Sequence, residues 1–399
     1  MADWGVEALE RELQSKIPDG GILADLVVVD KANLKHPKAI APFNHLPIKL
    51  YESPTVTRVL TAVLDNINPG TEASYNQILA AIMGQTHTDS FCYVHGGQVR
   101  DILMGKISKD VDINYACTAK DVAMVCVQNE WPIKYITIGA KGAPNYVLIG
   151  EEQSGLYMEG FSLSFNIGNP RVRQDFRRNM LAYDFTNQVI IDKSGYGVED
   201  IQNNELRFAC APSKDMWEEW ACNEATVGEK GLRYIKFVMR GILKGKPLKI
   251  DLEESAFVAE LLKKALRENQ ESLKGFWFRY LLGECCGKQE GVAALYKWVC
   301  EYGGQSWWNE WLPYVKAIVA DASWLDSFVQ ANGTADAIKR EFARHEHIRD
   351  GQIEEEDLKS VLRSLNLNLT DAEFEALCPE KSSADKLNID EFIDSLLIA

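Results

Sequence analysis

The sequence lacks the features that place a protein in a membrane or mark it for secretion. No apolar run among the 399 residues approaches the roughly 20 residues that a membrane-spanning helix needs. The chain begins Met-Ala-Asp-Trp-Gly-Val-Glu, which has neither the basic and apolar pattern of a signal peptide nor the Arg-rich composition of a transit peptide. These absences predict a soluble cytoplasmic protein. The alternative is a mitochondrial or plastid protein whose transit peptide was removed.

Clustered cysteines and a surplus of basic residues are also missing. The nine cysteines are scattered, apart from the adjacent Cys285 and Cys286, and none follows the spacing of a metal site. Reduced thiols are therefore expected. The net charge is −15, and residues 346–399 alone hold fourteen Asp and Glu against five Lys and Arg. An acidic chain has no general attraction for nucleic acid, although a local basic patch can still supply it.

What the chain does have is a distinctive chemical pattern in residues 95–115. Gly96 and Gly97 open a short predicted helix, and Asp110 and Asp112 stand two apart on the apolar run that follows. Alternate side chains of a strand share a face, so the two carboxylates would lie together and repel unless a cation sat between them. Mg²⁺ binds one or two carboxylates plus phosphate oxygens, and glycine-lined N–H groups at a helix start favour an anion. The pattern predicts a metal beside a phosphate pocket, as nucleotidyl transfer requires; two solvated acids are the alternative.

These residues resemble the head of the class II tRNA nucleotidyltransferase and bacterial poly(A) polymerase family. The family reads roughly G-G-x-V-R-D-x-L-x-G, a short gap and D-x-D-[IF], which residues 96–105 and 110–113 match. A second run at 173–184, R-Q-D-F-R-R-N-M-L-A-Y-D, resembles the family's R-R-D-F-T-x-N-A-L-A-Y-D. The resemblance implies an α+β fold, in which a head of mixed β-sheet and helices is followed by an all-helical neck and body.

The resemblance also implies roles for individual residues. Asp110 and Asp112 would hold catalytic Mg²⁺, and Glu159 on a later strand would complete the carboxylate set. The residues that would hold ATP or another NTP are Gly96, Gly97, Arg100, Arg173, Asp175, Asn179 and Arg233. Structural roles stay open for several of them. Glu159 would then be an ordinary strand acid, Arg100 a partner of Asp101, and the 173–179 group a hydrogen-bond cluster where a helix begins.

Two positions depart from the family pattern. Gln174 stands where the family has a second Arg, which removes a fixed charge. Lys230 stands within E-K-G-L-R at 229–233, where the family's base-reading segment reads E-D-x-x-R. Asp would accept a hydrogen bond from a base amino group, whereas Lys has donors only. The segment therefore does not predict selection of C and A, although Arg233 is retained.

Four regions are predicted along the chain. Residues 1–90 are a mainly helical extension, with helices expected at 6–17 and over 54–84. Residues 91–210 are the head, in which strands are expected at 92–94 and 111–115 and a helix at 119–129. Residues 211–340 are a Trp-rich helical neck and body, and 341–399 an acidic tail that resembles a pair of EF-hands. Placing Gly351 at loop position 6 puts Ile348 at ligand position 3, and the second loop has Ala384 at position 5. Neither side chain can bind a cation, so we expect little or no Ca²⁺ binding. A plain acidic helical tail and a docking module are the alternatives.

Two functional hypotheses remain open at this point. One is an active template-independent nucleotidyltransferase that adds CCA or A to RNA 3′ ends with two Mg²⁺ and an NTP. The other is a catalytically inactive nucleotidyltransferase-like scaffold that binds a protein partner through the Trp-rich helices and the EF-hand-like tail. The Asp pair favours the enzyme, since a scaffold has no reason to keep clustered, repelling acids. Lys230, Gln174 and the acidic balance favour the scaffold.

Overall fold

The protein is described by a computed structural model, which divides into two compact units, Met1–Cys285 and Cys286–Ala399. For several of the described residues, among them 156–160 and 224–230, only the backbone is described. The described residues are 11, 21–85, 91–95, 97–108, 111–115, 117, 119–137, 145–150, 156–160, 175–209, 224–268, 289–316, 352–364, 374 and 386–388. The predicted divisions at 90, 210 and 340 stay predictions.

The first unit is built on a nine-stranded sheet in the order β1-β2-β9-β8-β3-β4-β7-β6-β5. All neighbouring strands are antiparallel except β4 and β7, which run parallel. The strands are β1 Val27–Val28, β2 Lys49–Glu52, β3 Cys92–His95, β4 Val111–Tyr115, β5 Ile133–Thr137, β6 Asn145–Ile149, β7 Leu156–Gly160, β8 Leu181–Asp184 and β9 Val189–Asp192. The predicted mixed sheet is thus present.

Five helices accompany this sheet: α1 Pro54–Leu64, α2 Tyr75–Gln85, α3 Gly97–Leu103, α4 Ala119–Gln128 and α5 Gly197–Gln202. The apolar residues of α1 recur every three or four positions, which is why one side of that helix is buried. Ser53 caps its first turn by accepting a hydrogen bond from the Val56 N–H at 3.0 Å. Residues from all five helices and from the inward positions of β3, β4, β8 and β9 form one large hydrophobic core.

A second, smaller core lies on other positions of the same strands. It contains Ile40 and the alternate residues of four neighbouring strands: Leu50, Tyr93, Ala182, Val189 and Ile191. The segment before β2 covers these side chains with short 3₁₀ turns at Pro37–Ala39 and Ala41–Phe43. The Tyr93 hydroxyl donates to the Ala39 carbonyl at 2.6 Å, which fixes this segment on the sheet.

The described residues 21–85 contribute strands to the same sheet and side chains to both cores, while the predicted division at 90 stays a prediction. The helices expected over 54–84 are present as α1 and α2, and both contribute to the large core. The sequence did not predict that β2 pairs with β9, with Leu50 opposite Ile191. The predicted helical segment at 6–17 lies outside the described residues, apart from Arg11.

After the sheet come β10 Glu205–Leu206, α6 Glu224–Leu243, β11 Lys249–Ile250 and α7 Leu252–Glu268. The region predicted to be all-helical is helical in its described part apart from β11, which pairs parallel with β10. Gly231 allows α6 to approach α7 closely, because a Cβ there would lie 3.0 Å from Leu262 Cγ. Five aromatic rings in and near these elements pack together: those of Phe176, Phe208, Tyr234, Phe237 and Phe257.

The second unit contains α8 Gln289–Lys316, β12 Gln352–Glu354, α9 Glu355–Ser364 and β13 Lys386–Asn388. Gly304 interrupts α8 with a φ of 77°, and the four tryptophans of α8 are buried: Trp298, Trp307, Trp308 and Trp311. Strands β12 and β13 are antiparallel, with Ile353 opposite Leu387. The EF-hand-like tail stays a prediction. Among the described residues, no helix has both the length and the apolar composition needed to cross a membrane.

Candidate nucleotide and metal site

Strand β4 presents different residues on its two faces. Val111, Ile113 and Tyr115 are buried in the large core, while Asp112 and Asn114 are half-buried on the opposite face. This alternation follows directly from the two-residue repeat of a strand. The face that carries Asp112 is therefore not sealed by the helices. Asp110, its predicted partner, lies outside the described residues, so the convergence of the two carboxylates stays a prediction.

The strands beside β4 bring two further positions close to Asp112. In the parallel pairing with β7, Asn114 lies opposite Glu159, so the predicted third carboxylate is one strand away. In the antiparallel pairing with β3, Val94 lies opposite Ile113, and the next step of the register places His95 opposite Asp112. The sequence analysis gave His95 no role. Its position could have been found by pairing the strand before Gly96 with the strand after Asp110.

Helix α3 begins at Gly97, immediately after β3. A Cβ at Gly97 would lie 3.6 Å from Arg100 Nη2 and 3.9 Å from Ser108 Oγ, which are ordinary contact distances. Close packing among the described residues therefore does not require glycine here. Gly96 lies outside the described residues.

Arg100 is held by side chains on both sides. Its Nε and Nη2 each lie 2.7 Å from Asp101 Oδ1, and its Nη1 donates to Asn179 Oδ1 at 2.6 Å. Its guanidinium carbon also lies 5.3 Å from the centre of the Phe237 ring, which is a cation–π geometry. The partnership with Asp101 that the sequence left open is therefore present. Arg100 is a fixed residue whose guanidinium links α3 to the second motif.

Asp175 joins that motif to helix α6. Its Oδ1 accepts hydrogen bonds from the Asn179 amide at 2.7 Å and from the Phe176 N–H at 2.9 Å. Its Oδ2 accepts a hydrogen bond from Arg233 Nε at 2.5 Å. Asp175 is buried and the Arg233 side chain is 34% exposed, so this pair lies at the edge of the protein interior.

The structure therefore brings together four of the predicted nucleotide-binding residues. A continuous chain of hydrogen bonds runs from Arg100 through Asn179 and Asp175 to Arg233. These residues are up to 133 positions apart in the sequence, and they come from α3, the 3₁₀ turn Arg177–Asn179 with its preceding loop, and α6. Phe237, four residues after Arg233 on the same helix, was missed by the sequence analysis. An i,i+4 projection of α6 could have identified it.

Two buried ionisable residues, Arg178 and Asp200, lie beside this chain of hydrogen bonds. Arg178 is 2% exposed, and burial together with the nearby Arg100 lowers the pKa of its guanidinium to about 10. Asp200 is also buried, and loss of hydration raises the pKa of its carboxyl group to about 7, although Arg177 Nη1 lies 3.7 Å away and opposes the shift. Neither residue was predicted to be part of the site. Both show that this region concentrates charge at low exposure to water.

Several predicted site residues cannot be placed. Arg173 and Gln174 lie outside the described residues, and only the backbone of Glu159 and Lys230 is described. Within the described part of the chain, no group of three or more His, Cys, Asp or Glu side chains is arranged to hold a metal ion. The predicted carboxylate set is not tested by this finding, because it includes Asp110 and the Glu159 side chain.

Comparisons with known proteins find a family similarity in part of this region. Residues 92–159 match the family described as the Poly A polymerase head domain. The CCA-adding enzyme of Lactobacillus helveticus (strain DPC 4571) is 30% identical over 195 residues, which cover 46% of this chain and 42% of that enzyme. The chain thus aligns with less than half the length of this curated relative. The predicted resemblance to the class II tRNA nucleotidyltransferase and poly(A) polymerase family is confirmed for the head.

Solved structures of the same kind are more distantly similar. A tRNA nucleotidyltransferase complexed with a primer tRNA and an incoming ATP analog is 17% identical, with a TM-score of 0.40, covering 67% of this chain and 70% of that one. A Thermotoga maritima CCA-adding enzyme complexed with tRNA is 14% identical, with a TM-score of 0.39, covering 81% and 90%. At these TM-scores, no conclusion about the site is drawn from the superpositions.

Proposed function

We propose that this chain, whose head resembles the poly(A) polymerase head domain and the CCA-adding enzymes, is a template-independent nucleotidyltransferase acting on RNA 3′ ends. The substrate would be an NTP, and the product an RNA extended by CCA or by A. One observation carries the proposal. Three sequence motifs that are far apart in the chain meet through hydrogen bonds at Arg100, Asn179, Asp175 and Arg233, and Arg100 belongs to α3, the helix that begins at Gly97.

The residues on the half-open face suit a divalent cation. Asp112 supplies carboxylate oxygens at partial exposure, and the strand register brings the Glu159 backbone to the neighbouring strand. Hard oxygen ligands of this type are those that Mg²⁺ prefers. We propose Mg²⁺ as the ion, two ions in all, with Asp110 and Asp112 as ligands and Glu159 completing the set. When bound, the ions would polarise the α-phosphate and favour ionisation of the attacking 3′-hydroxyl.

The neighbouring residues would hold the triphosphate. We expect the backbone N–H groups of Gly96 and Gly97 to donate to phosphate oxygens, with α3 beginning at Gly97. Arg100 uses its donors on Asp101 and Asn179, so its charge is fixed in position and needs no reorganisation when an anion arrives. Arg173 would add a second cation. Asn179 and Asp175 would approach the sugar and at the same time hold Arg100 and Arg233 in place.

Arg233 is the residue through which a base would be selected. Asp175 accepts the hydrogen bond of its Nε and holds the partly exposed guanidinium, which would donate to the edge of a base. Since Lys230 has only donors where the family has Asp, we expect the preferred base to present acceptors. The preferred nucleotide should therefore be sought among all four NTPs.

The inactive scaffold is retained as a second candidate, since two observations favour it. Arg100 and Arg233 both already have carboxylate partners, and the chain carries fifteen net negative charges. A scaffold would keep this hydrogen-bond chain for stability alone. It would bind no metal ion at Asp112 on the half-open face.

The test is incorporation of radiolabelled NTPs into tRNA lacking its terminal CCA and into oligo(A). We expect Mg²⁺-dependent extension by the wild-type protein and none by the double variant Asp110→Ala/Asp112→Ala. Each NTP is assayed singly and the four are assayed together, so that the nucleotide preference is measured in the same experiment. Absence of extension by folded wild-type protein with every NTP and both acceptors would leave the scaffold as the account of this chain.

A further inference from the structure

Tyr196 presents an aromatic ring to solvent beside two cations. The residue is 50% exposed, and the Lys49 ammonium and the Arg177 guanidinium carbon each lie 5.2 Å from the centre of its ring. Lys49 belongs to β2, Arg177 to the 3₁₀ turn Arg177–Asn179, and Tyr196 to the loop before α5. Three separate parts of the chain thus converge on one exposed ring. This group of three residues is called the Tyr196 surface below.

The loop that carries Tyr196 is fixed by hydrogen bonds. The buried Asp192 carboxylate accepts from the Ser194 N–H at 3.1 Å, the Ser194 hydroxyl at 2.8 Å and the Val198 N–H at 3.0 Å. The Tyr196 N–H in turn donates to Ser194 Oγ at 3.1 Å. A ring held in this way is already positioned before any ligand arrives. Binding at this surface would therefore cost little conformational entropy.

Close backbone approaches fix the same loop from two sides. Gly195 has a φ of +72°, and a Cβ there would lie 2.3 Å from the Pro47 carbonyl oxygen. A Cβ at Gly197 would lie 2.6 Å from the Arg177 carbonyl oxygen. Only glycine fits at both positions without a shift of the backbone. The loop is thus packed between the segment before β2 and the turn that contains Arg177 and Asn179.

Charged groups of both signs surround the exposed ring. Lys49 is exposed, and Arg177 is half-buried with Asp200 as its ion-pair partner. Burial raises the pKa of Asp200 to about 7, so at neutral pH this carboxyl group only partly offsets the Arg177 charge. Glu199, on the first turn of α5, is the exposed acid nearest to Tyr196 in the sequence. Two cations therefore face one exposed acid, Glu199, and two buried acids, the partly protonated Asp200 and Asp192, which lies opposite Lys49 in the β2–β9 pairing.

We propose that the Tyr196 surface binds the single-stranded end of the acceptor RNA, with a base stacked on the aromatic and guanidinium groups and phosphates beside Lys49 and Arg177. This inference rests on the proposed function for the identity of the RNA. An aromatic ring next to Lys and Arg is the combination that binds single-stranded nucleic acid without sequence preference. The turn Arg177–Asn179 connects the surface to the Asn179–Asp175 pair, so a strand lying here leads to the candidate nucleotide site.

The experiment measures binding rather than activity. A short fluorescently labelled single-stranded RNA is titrated with the full-length wild-type protein and with Tyr196→Ala, Tyr196→Phe and Lys49→Gln, and anisotropy is recorded at several salt concentrations. Tyr196→Ala should weaken binding about tenfold, because loss of one stacked base costs that much. Tyr196→Phe should keep most of the affinity. Lys49→Gln should reduce the slope of log affinity against log salt by about one phosphate contact.

Lys120→Gln is the matched control, since Lys120 is exposed on α4 and outside the proposed surface. Equal affinities for wild type and a folded Tyr196→Ala, or equal losses for Lys49→Gln and Lys120→Gln, would overturn the inference, as would wild-type protein that binds no RNA. Polyglutamate competing in a Tyr196-dependent way, as strongly as RNA, would assign the surface to an acidic protein instead. Failure of the proposed function is seen separately, as RNA binding without nucleotide incorporation.

Discussion

On one face of the sheet, the residues of β4 are fully buried beneath helices, whereas on the other face Asp112 and Asn114 stay half-buried. The second face is not bare, because the segment before β2 covers strands β2, β9, β8 and β3 with its own small core. None of the described residues of that small core comes from β4. In the described residues, the apolar side chains of the small core thus stop before β4, the strand on which a metal-binding carboxylate is proposed. We therefore expect one face of β4 to serve stability and the other to serve the proposed chemistry.

The largest effect expected from this contrast is on activity. Asp112→Asn should lower nucleotide incorporation by at least about a hundredfold, because a neutral amide replaces a proposed metal ligand whose contribution is worth several kcal/mol. Thermal unfolding of the same variant should be close to that of the wild type, since the residue lies on the half-open face. Steady-state incorporation and circular dichroism measure the two quantities. Full activity in the variant would remove Asp112 from the site.

Ile113, the residue after Asp112 on β4, tests the role of the face that is buried beneath the helices. Ile113→Ala should lower the free energy of unfolding by about 2–5 kcal/mol, because Ile113 is completely buried in the large core and its loss leaves a cavity. Activity per folded molecule should be retained. Urea unfolding gives the stability, and incorporation at a temperature well below the transition gives the activity. If Asp112→Asn and Ile113→Ala changed the same quantity, the assignment of different tasks to the two faces would be wrong.

The helix side also holds a buried carboxyl group, that of Asp200 on α5, whose pKa is raised from 3.8 to about 7 by burial. The folded state therefore favours the protonated form, and its stability falls as the pH rises from about 4 to 7. Asp200→Asn removes this ionisation, so the stability of the variant relative to the wild type should rise over the same interval. Urea unfolding at several pH values measures the difference.

A second buried carboxyl group, that of Glu254, also contributes to the dependence of stability on pH. Burial raises the pKa of its carboxyl group to about 7 as well, with Arg207 opposing the shift, so part of the pH dependence should persist in Asp200→Asn. A difference between variant and wild type that did not change with pH would show that Asp200 ionises normally in the folded protein.

The smallest effect is expected where the N-terminal segment is fixed to the sheet. Tyr93→Phe removes the hydrogen bond from the hydroxyl to the Ala39 carbonyl and should cost about 1 kcal/mol of stability. The ring packing against Phe43, whose centroid lies 5.2 Å away, is kept. Urea unfolding monitored by tryptophan fluorescence measures the loss. Stability equal to the wild type would mean that this contact does not hold the covering segment in place.

The sequence predicted the central strands well because their patterns are strong and local. Val111–Tyr115 was expected as a strand with these bounds, and the strand at Cys92 and the helix at Ala119 differ by one residue at one end. Strands β1 and β2 were not predicted. They are two and four residues long, and β2 acquires its place by pairing with β9, about 140 positions later in the chain. Periodicity carries no information about such distant pairing.

The sequence predicted which residues form the candidate site better than it predicted the contacts among them. Motif resemblance identified Arg100, Asp175, Asn179 and Arg233, but it did not predict that Asp175 is the acceptor for both Asn179 and Arg233. That contact depends on how α6 packs against the head through Phe176 and Phe237. Tyr196 was not singled out at all, because its two cations come from elements that only the folded chain brings together.

The most direct test of the central claim is divalent-cation binding at the half-open face of β4. Mn²⁺ can be titrated in place of Mg²⁺, and the free ion followed by electron paramagnetic resonance, with the full-length wild-type protein and Asp112→Asn in the presence of NTP. The account predicts saturable binding by the wild type and affinity reduced by at least about tenfold in the variant. Equal Mn²⁺ affinities for the two folded proteins would contradict it.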